Sequence, residues 1–435
     1  MSDQGTRGGG AATSPLTVAA SADHFVAGGS PYVLCADTVW SAFAEAQPHE
    51  WEAYLDRRRG QGFNTLLISV LPILHDRSVH PDTREPYPLH DGRYDFSTPD
   101  EAYFENARRM VETATDRGFR AALVALWCTY VPGTWGSDRN PHAVMSTDET
   151  GGYLELLTRT FAAYDPIYVV SGDDRFATPE AVERYAWALG RLAALAPDSL
   201  TTFHSTPDTD LPAELADAPR LGFYSYQSGH DHRAQERTHE LAVLYRGKPV
   251  RRPVANLEPC YEGHGYGQGL GRFTRFDVRR AVWWSLLAGA AAGVGYGAHG
   301  MWGWHRPTGT FTSSAFSSEP FSWDVALGFE GAWDVGFARA LVEDNALYLL
   351  DPRQDLLTAA PPGVRLGATT AMDTVAAYVP YAADVELALD PAGYRVTAWN
   401  LATRARVSAR LRTSGNGMVL GQPGYNADTL YVLTR

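Results

Sequence analysis

Short apolar runs alternate with longer segments whose apolar residues recur at helical spacing along most of the chain. The short runs predict eight strands, at 31–37, 63–71, 119–127, 166–173, 199–206, 221–228, 253–258 and 293–299. The longer segments predict helices at 48–60, 100–117, 150–163, 179–196, 233–246 and 276–292. This alternation predicts an α/β fold, a (β/α)8 TIM barrel, rather than an open doubly wound sheet.

The pattern changes after about residue 360, where turn residues separate short runs that are typical of strands. These strands are predicted at 375–379, 385–389, 394–399 and 407–411. Together they predict a small C-terminal antiparallel β-sandwich, which we expect to brace the barrel. The first residues are rich in Gly, Ser and Thr and predict a disordered tail. The expected domains are therefore a tail at 1–15, the catalytic barrel at 16–355 and the β-sandwich at 356–435.

Composition and charge narrow the classes of function. The 435 residues are 45% hydrophobic and 20% charged, as in ordinary globular proteins. The formal charge of -13 gives no electrostatic footprint for nucleic acid or an anionic membrane and favours a neutral substrate. No run of twenty apolar residues occurs, and the start of the chain lacks the apolar core of a secretory signal. We therefore expect a cytoplasmic protein without a membrane partner, and a homo-oligomer stays open.

Neither the cysteines nor the glycines indicate a cofactor. Cys35, Cys128 and Cys260 cannot all be paired and lack the CxxC spacing of metal sites, so reduced core thiols are expected. The sequence contains no GxGxxG or P-loop motif. The glycine-rich stretch 265–271 follows a proline turn and does not open a helix, so we interpret it as an active-site loop. The sequence therefore predicts no cofactor.

The fourth and the seventh predicted strands both end in acidic residues. The fourth strand runs into Asp173 and Asp174, and the seventh delivers Glu258 directly before Pro259. Catalytic groups of TIM barrels project from the C-terminal ends of strands, so Asp173 and Glu258 are expected to face each other. Cleavage of a glycosidic bond needs one protonated and one ionised carboxyl group, roughly 5 Å apart when configuration is retained. The two acids therefore predict a site that cleaves sugars.

Each acid also has a structural interpretation. Asp173 is suited to capping the next helix or to a loop salt bridge, and so is the acid that follows it. Glu258 is suited to a buried ion pair with Arg251 or Arg252. A weaker rival for its catalytic role is Glu262, which lies further into the loop.

Six short motifs occur in an order that resembles one enzyme family. They are Asp37-Thr38-Val39-Trp40, Gly62-Phe63-Asn64, Ser171-Gly172-Asp173, Tyr226-Gln227-Ser228-Gly229-His230, Glu258-Pro259-Cys260-Tyr261-Glu262 and Tyr296-Gly297-Ala298-His299-Gly300-Met301-Trp302. The set looks like the apiosidase-like glycoside hydrolases, in which a barrel is followed by a small β-sandwich. The resemblance implies that Asp173 is the acid/base and Glu258 the nucleophile. The family usually shows Gly-Gly-Asp where this chain has Ser171 first, and the sugar stays open.

Ten further residues are candidates for binding the sugar. Carboxylate, amide and imidazole groups offer hydrogen bonds to hydroxyl groups, and aromatic rings offer the walls of a subsite. The set consists of Asp37, Trp40, His75, Trp127, Asp174, Gln227, His230, Tyr261, His299 and Trp302. Taken singly, His230 and His299 suit a structural role at least as well.

Three functions stay under consideration. The leading hypothesis is a retaining, exo-acting glycosidase that releases a furanose-type sugar, apiose or arabinofuranose, from oligosaccharides or glycosides. The second is a metal-assisted barrel hydrolase that uses loop histidines, namely His75, His80, His142, His230, His264 and His299. Because these histidines lack HExxH spacing, no metal ligand is assigned. The third is a non-catalytic carbohydrate-binding protein whose acids only hold hydroxyl groups.

Overall fold

The computed structural model describes residues 14–267, 271–415 and 417–435. Of the tail expected at 1–15, only the last two residues are described, and residues 268–270 of the glycine-rich stretch also lie outside the described residues. Three short antiparallel strands precede the barrel, at Leu16–Val18, Phe25–Ala27 and Ser30–Tyr32. They bury Leu16 and Phe25 in the main core.

Eight parallel strands of the described chain form one sheet that nearly closes on itself. They are β1 (Leu34–Thr38), β2 (Thr65–Ser69), β3 (Arg120–Trp127), β4 (Ile167–Gly172), β5 (Thr201–Thr202), β6 (Tyr224–Gln227), β7 (Val254–Glu258) and β8 (Gly293–Tyr296). Their order in space is β5-β4-β3-β2-β1-β8-β7-β6. In addition to the hydrogen bonds between neighbouring strands, the amide of Gly222 donates to the Thr201 carbonyl oxygen at 2.9 Å. This bond links β5 to the residues before β6. The predicted barrel is confirmed, and every strand overlaps its predicted range.

A helix follows each strand. The eight are α1 (Pro48–Gly60), α2 (Glu101–Asp116), α3 (Thr147–Phe161), α4 (Pro179–Leu195), α5 (Ala213–Ala216), α6 (Arg237–Arg246), α7 (Arg275–Leu287) and α8 (Gly331–Asp344). Shorter elements in the loops include helices at Ala42–Glu45, Trp135–Arg139, Ser314–Ser317 and Trp323–Leu327, and strands at Ser78–Val79, Leu89–His90, Arg93–Tyr94 and Thr310–Phe311. The sequence predicts six of the eight helices and misses α5 and α8.

Local side chains fix where several helices begin. The Asp100 carboxylate accepts a hydrogen bond from the Tyr103 amide at 2.8 Å at the start of α2. The Thr178 hydroxyl oxygen accepts from the Ala181 amide at 3.1 Å, and Pro179 occupies the first position of α4. Such caps satisfy backbone amides that have no partner inside the helix. Capping residues in the local sequence therefore determine where these helices begin.

The start and middle of α8 depend on tertiary packing instead. Gly331 and Gly336 lower the intrinsic helix propensity of this segment, so the sequence does not predict the helix. A Cβ at position 336 would lie 1.6 Å from the carbonyl oxygen of Gln61, directly after α1. The glycine therefore permits a close approach of two helices that a larger residue would prevent.

The strands of the barrel are buried on both faces, as expected for a parallel sheet covered by helices. Cys35, Cys128 and Cys260 are free and buried. Burial raises the pKa of the Cys35 thiol to about 12, which agrees with the expected reduced core thiol.

Two antiparallel sheets follow the barrel. The first contains, in spatial order, Asp351–Pro352, Arg365–Ala368, Thr374–Val379, Thr429–Thr434, Arg395–Asn400 and Ala405–Val407. The second contains Leu357–Ala359, Val385–Leu387, Gly417–Gly421 and Arg410–Ser414. Apolar residues of both sheets form a common second core, which confirms the predicted β-sandwich. In the described residues, no helix combines the length and the apolar character that crossing a membrane requires.

A buried charge network joins the barrel to the β-sandwich. Arg279 of α7 donates to the Asp428 carboxylate, with Nη2 to Oδ1 at 2.6 Å and Nε to Oδ2 at 2.8 Å. Its Nη1 also donates to Asp334 Oδ2 of α8 at 2.9 Å. Both carboxylates are fully buried, and Asp334 also pairs with Arg275 and Arg404, so three guanidinium groups compensate the two buried charges.

We expect Asp428→Asn to lower the free energy of unfolding by about 3 kcal/mol, because it removes a charge that compensates buried Arg279. Urea denaturation followed by circular dichroism measures this change. Asp384→Asn is the matched control, since Asp384 pairs with Arg412 at an exposed site and should change stability by less than about 1 kcal/mol. Equal effects of the two substitutions would contradict the assigned role of the network.

Candidate active site

A cavity of about 350 Å³ opens at the C-terminal ends of the barrel strands. This is the edge at which TIM barrels carry their active sites, and the volume lies in the range of sites for small molecules. The structure brings nine of the twelve predicted site residues to its lining: Asp173, Glu258, Trp40, His75, Trp127, Gln227, His230, Tyr261 and Trp302. Residues far apart in the sequence thus converge on one space large enough for a sugar ring.

The prediction that Asp37 contacts the substrate is corrected by the structure. Its side chain is fully buried outside the cavity. Oδ2 accepts hydrogen bonds from Arg58 Nε at 2.6 Å and from the Tyr54 hydroxyl at 2.7 Å. Both partners lie on α1, so Asp37 points from β1 toward the helical layer instead of the cavity. We conclude that it joins strand to helix.

Two further candidates, Asp174 and His299, also lie behind the cavity lining. Asp174 is buried and accepts a hydrogen bond from the Phe176 amide at 3.0 Å, which stabilises the turn after β4. His299 Nε2 lies 2.8 Å from the Ser318 carbonyl oxygen, and its Nδ1 accepts from Trp302 Nε1 at 3.3 Å. These contacts give both residues structural roles, because their polar atoms are used within the protein.

Glu258 ends β7 and receives two hydrogen bonds from imidazole rings. His230 Nε2 lies 2.9 Å from Oε1, and His204 Nε2 lies 3.1 Å from Oε2. On each ring Nδ1 accepts a backbone amide, from Tyr261 at 3.4 Å and from Asp173 at 3.2 Å. The proton of each neutral ring is therefore assigned to Nε2, where it points at the carboxylate.

These two donors keep Glu258 ionised. Burial opposes its ionisation, but the hydrogen bonds from His204 and His230 outweigh burial and lower the pKa of Glu258 to about 2. The alternative ion pair with arginine is not formed: Arg251 pairs with Asp23 and Asp351, and Arg252 donates to the Leu221 and Ala218 carbonyl oxygens. Glu258 is thus a carboxylate anion at neutral pH, facing the cavity.

Glu262 does not compete for this role. It is buried outside the cavity lining and accepts hydrogen bonds from the Tyr296 hydroxyl at 2.7 Å and the Gly331 amide at 2.9 Å. Its carboxylate therefore connects β8 to the start of α8.

Asp173 follows β4 in a left-handed backbone conformation, with φ of 52°. Aspartate tolerates this region better than most residues. Oδ1 accepts from Gln227 Nε2 at 3.1 Å, and Oδ2 lies 3.8 Å from Nε2 of His75. Burial, followed by the negative charge of Glu258, raises the pKa of Asp173. The alternative helix-capping role falls to Thr178, so the Asp173 carboxyl group is left to the cavity.

Aromatic rings make the walls of the cavity rigid. Trp40 packs edge-on against Trp127, with ring centroids 5.3 Å apart, and its Nε1 donates to the Tyr261 hydroxyl at 3.2 Å. Trp135 packs edge-on against His75, with centroids 4.6 Å apart, and its Nε1 donates to the Asp173 carbonyl oxygen at 2.7 Å. The walls can therefore stack on apolar faces of a sugar without reordering.

Sequence reasoning missed several residues of the site. His204 lies at the end of the predicted strand 199–206, so the rule that found Asp173 and Glu258 also pointed to it. Asp76 lies in the loop after β2, where the sequence shows a polar stretch without indicating which side chain turns inward. Trp135, Arg139, Arg175 and Arg237 also line the cavity from loops and helix starts, where no periodic pattern marks them.

Three of the six loop histidines considered for a metal site, His230, His264 and His299, pack against one another, whereas His75 packs against Trp135. The His264 ring stacks on His230 with centroids 4.3 Å apart and meets His299 edge-on at 4.9 Å. Within the described parts of the chain, no group of three or more His, Cys, Asp or Glu residues is arranged to hold a metal ion. The histidines that reach Glu258 act as hydrogen-bond donors in this arrangement.

The family model described as Apiosidase-like, catalytic domain, matches residues 21–348, which span the whole barrel. The chain belongs to the apiosidase-like family. This confirms the resemblance carried by the six motifs, and the protein is a glycoside hydrolase. No match was found among curated protein sequences.

Solved structures show the same fold as this apiosidase-like chain. A protein titled glycoside hydrolase is 17% identical, with 97% of each chain covered and a TM-score of 0.82. A glycoside hydrolase family 5 protein from Bacteroides vulgatus is 17% identical, with 97% of this chain and 93% of that chain covered and a TM-score of 0.79. A family 5 mannosidase from Rhizomucor miehei is 11% identical over 77% of this chain and 100% of its own, with a TM-score of 0.51.

Asp76 places a third carboxyl group in the cavity of this apiosidase-like enzyme. Burial raises its pKa to about 7; a hydrogen bond from Ser313 opposes this shift, and the charges of Asp173 and Glu258 add to it. When folding raises the pKa of an aspartate, the protein loses stability as the pH rises from the ordinary pKa of aspartate to the raised pKa of the folded state. Ionised Asp76 therefore destabilises the folded enzyme at neutral pH and above.

We expect Asp76→Asn to raise the free energy of unfolding by about 2 kcal/mol at pH 8, because it removes this buried charge. The gain should shrink as pH falls from 7 toward 4, where Asp76 becomes protonated in both states. Urea unfolding at several pH values measures the gain. Asp82→Asn, at an exposed carboxylate in the same loop, should give no such pH-dependent gain. A gain for Asp76→Asn that is constant between pH 4 and 8 would contradict the assignment.

Proposed function

We propose that this apiosidase-like enzyme is a retaining glycosidase in which Asp173 is the acid/base and Glu258 the nucleophile. The observation that supports this most directly is the opposite shift of two pKa values in one cavity. Hydrogen bonds lower the pKa of Glu258, whereas burial and the charge of Glu258 raise that of Asp173. One ionised and one protonated carboxyl group are what the two steps of a retaining glycosidase require.

In the first step, Asp173 transfers its proton to the glycosidic oxygen as the bond between that oxygen and the anomeric carbon breaks. Glu258 attacks the same carbon and forms a covalent glycosyl ester. His204 and His230 hold the two oxygens of Glu258 in place, so the attacking oxygen needs no reorientation. The Gln227 amide orients the Asp173 carboxyl group in the same way.

The second step follows from the coupling between the two acids. Formation of the ester removes the negative charge of Glu258, and that charge is one of the causes that raise the pKa of Asp173. The pKa of Asp173 therefore falls in the intermediate, which favours its carboxylate form. In that form Asp173 accepts a proton from water as the water attacks the anomeric carbon and releases Glu258.

We propose exo action on a furanose-type sugar. A cavity of about 350 Å³ accommodates one sugar ring and the start of a leaving group, which favours removal of a terminal residue. The family description names apiosidase, and apiose is a branched pentose that forms a five-membered ring. Arabinofuranose shares that ring size and is the second candidate. Both are neutral sugars, in agreement with the acidic protein.

A panel of 4-nitrophenyl furanosides and pyranosides tests the substrate class. We expect turnover of a pentofuranoside, apioside or arabinofuranoside, and little turnover of pyranosides, because the subsite is small and walled by fixed aromatic rings. Proton NMR of the first product anomer should show the configuration of the substrate. An inverted first product would overturn the retaining mechanism, and turnover of pyranosides alone would overturn the furanose assignment.

Azide distinguishes the roles of the two acids. Glu258→Ala and Asp173→Ala should each lower turnover on the order of 10³-fold or more, because each removes a group that acts on the reacting bond. With Glu258→Ala, azide attacks in place of the nucleophile and should give a glycosyl azide of inverted configuration. With Asp173→Ala, azide enters the deglycosylation step and should give a retained glycosyl azide. NMR of the products measures both outcomes, and a retained azide from Glu258→Ala would contradict the assignment.

A further inference from the structure

Two buried polar atoms of residues that line the cavity have no hydrogen-bond partner among the described residues. They are Asp76 Oδ1 and Trp127 Nε1. Of the catalytic carboxyl groups, Glu258 accepts hydrogen bonds on both oxygens, and Asp173 accepts one from Gln227 on Oδ1. A buried polar atom without a partner destabilises a fold, so such atoms in a site call for a functional explanation.

The two atoms have complementary chemistry. An ionised carboxylate oxygen only accepts hydrogen bonds, and an indole N–H only donates them. A hydroxyl group donates one hydrogen bond and accepts others, so a single hydroxyl can satisfy both atoms at once. Sugars are the ligands that present such hydroxyl groups next to an apolar ring face, and the Trp127 ring is itself a wall of the cavity.

The fold places the two residues on the same side of the cavity. Asp76 follows β2 and Trp127 ends β3, and these strands are neighbours in the barrel. His75, directly before Asp76, packs on Trp127 with ring centroids 6.3 Å apart. The negative charges of Asp173 and Glu258 both act on Asp76. The pair therefore lines the same cavity as the two catalytic acids.

We propose that Asp76 Oδ1 and Trp127 Nε1 together bind one hydroxyl group of the sugar residue whose glycosidic bond is cleaved. This inference rests on the proposed function, since it needs a sugar between Asp173 and Glu258. It makes the pair a determinant of specificity, because a sugar that lacks this hydroxyl group leaves both atoms unsatisfied. The carboxylate also faces the positive charge that develops on the ring in the transition state, so the contact strengthens as the bond breaks.

Steady-state kinetics of the wild type, two single variants and their double variant tests the proposal. The substrate is the 4-nitrophenyl glycoside that the wild type hydrolyses best. Asp76→Asn keeps the shape of the side chain and removes its charge, and Trp127→Phe keeps an aromatic wall and removes the N–H. We expect each to lower kcat/KM by about 10- to 100-fold, because Asp76→Asn replaces a charged acceptor with a weaker neutral amide oxygen and Trp127→Phe removes the donor. The double variant should lose much less than the product of the two single losses, because the pair acts on one group.

Monodeoxy analogues of the same glycoside identify the hydroxyl group. On the analogue that lacks it, the wild type and both single variants should have similar kcat/KM values, whereas on the other analogues the loss persists.

Asp82→Asn is the control, because this carboxylate is in the same loop, outside the cavity lining and 74% exposed. Its kcat/KM should stay within about twofold of the wild type. Thermal unfolding of each variant separates loss of contact from loss of fold, and Trp127→Phe decides alone if Asp76→Asn does not fold.

The outcomes separate this inference from the function on which it rests. If the wild type turns over a glycoside and Glu258→Ala does not, but Asp76→Asn and Trp127→Phe keep kcat/KM within about twofold, the inference is overturned and the proposed function stands. A loss of equal size on every monodeoxy analogue also overturns it, because it indicates a structural role. Absence of turnover of every glycoside by the wild type overturns both.

Discussion

The ionised carboxylate of Glu258 is the feature on which the site depends. It lies buried at the end of β7, where a carboxylate without partners would be unstable. Two imidazole N–H groups stabilise it, and each imidazole is in turn oriented by a backbone amide. The same negative charge contributes to the raised pKa of Asp173. One anion therefore influences the protonation state of both acids, and neither acid can be understood without the other.

The catalytic acids and the tryptophans of the cavity walls come from different strands of the barrel. The two catalytic acids, the imidazoles that hold Glu258 and the amide that holds Asp173 come from four neighbouring strands, with Asp173 after β4, His204 after β5, Gln227 and His230 at and after β6, and Glu258 at the end of β7. The tryptophans of the walls come from the opposite half: Trp40 after β1, Trp127 at the end of β3 and Trp302 after β8. A sugar has both hydroxyl groups and apolar faces, so this division matches the two kinds of surface that it presents.

Buried charges in this enzyme fall into two kinds, and their partners distinguish them. Asp37 pairs with Arg58 between strand and helix, and Arg279 pairs with two carboxylates between the barrel and the β-sandwich. These charges are compensated inside the protein and serve its architecture. Asp76 is buried beside two other acids, and its Oδ1 has no hydrogen-bond partner among the described residues. Among the described residues, Asp37 Oδ1 and Arg58 Nη2 also lack hydrogen-bond partners, but both residues lie outside the cavity lining. Asp76 lines the cavity, where a ligand can supply the missing partner.

The sequence by itself determined the barrel, the β-sandwich and the two acids, because strand and helix periodicity and the residue that ends a strand are local properties of the chain. It could not separate Asp37 from Glu258, since both lie at the ends of apolar runs and only packing shows which way each side chain points. It missed α8, whose glycines fit a neighbour that the sequence does not show. The pairing of His204 and His230 with Glu258, and the partners that Asp76 and Trp127 lack, were decided by tertiary structure alone, because hydrogen bonds and desolvation depend on residues brought together across the ring.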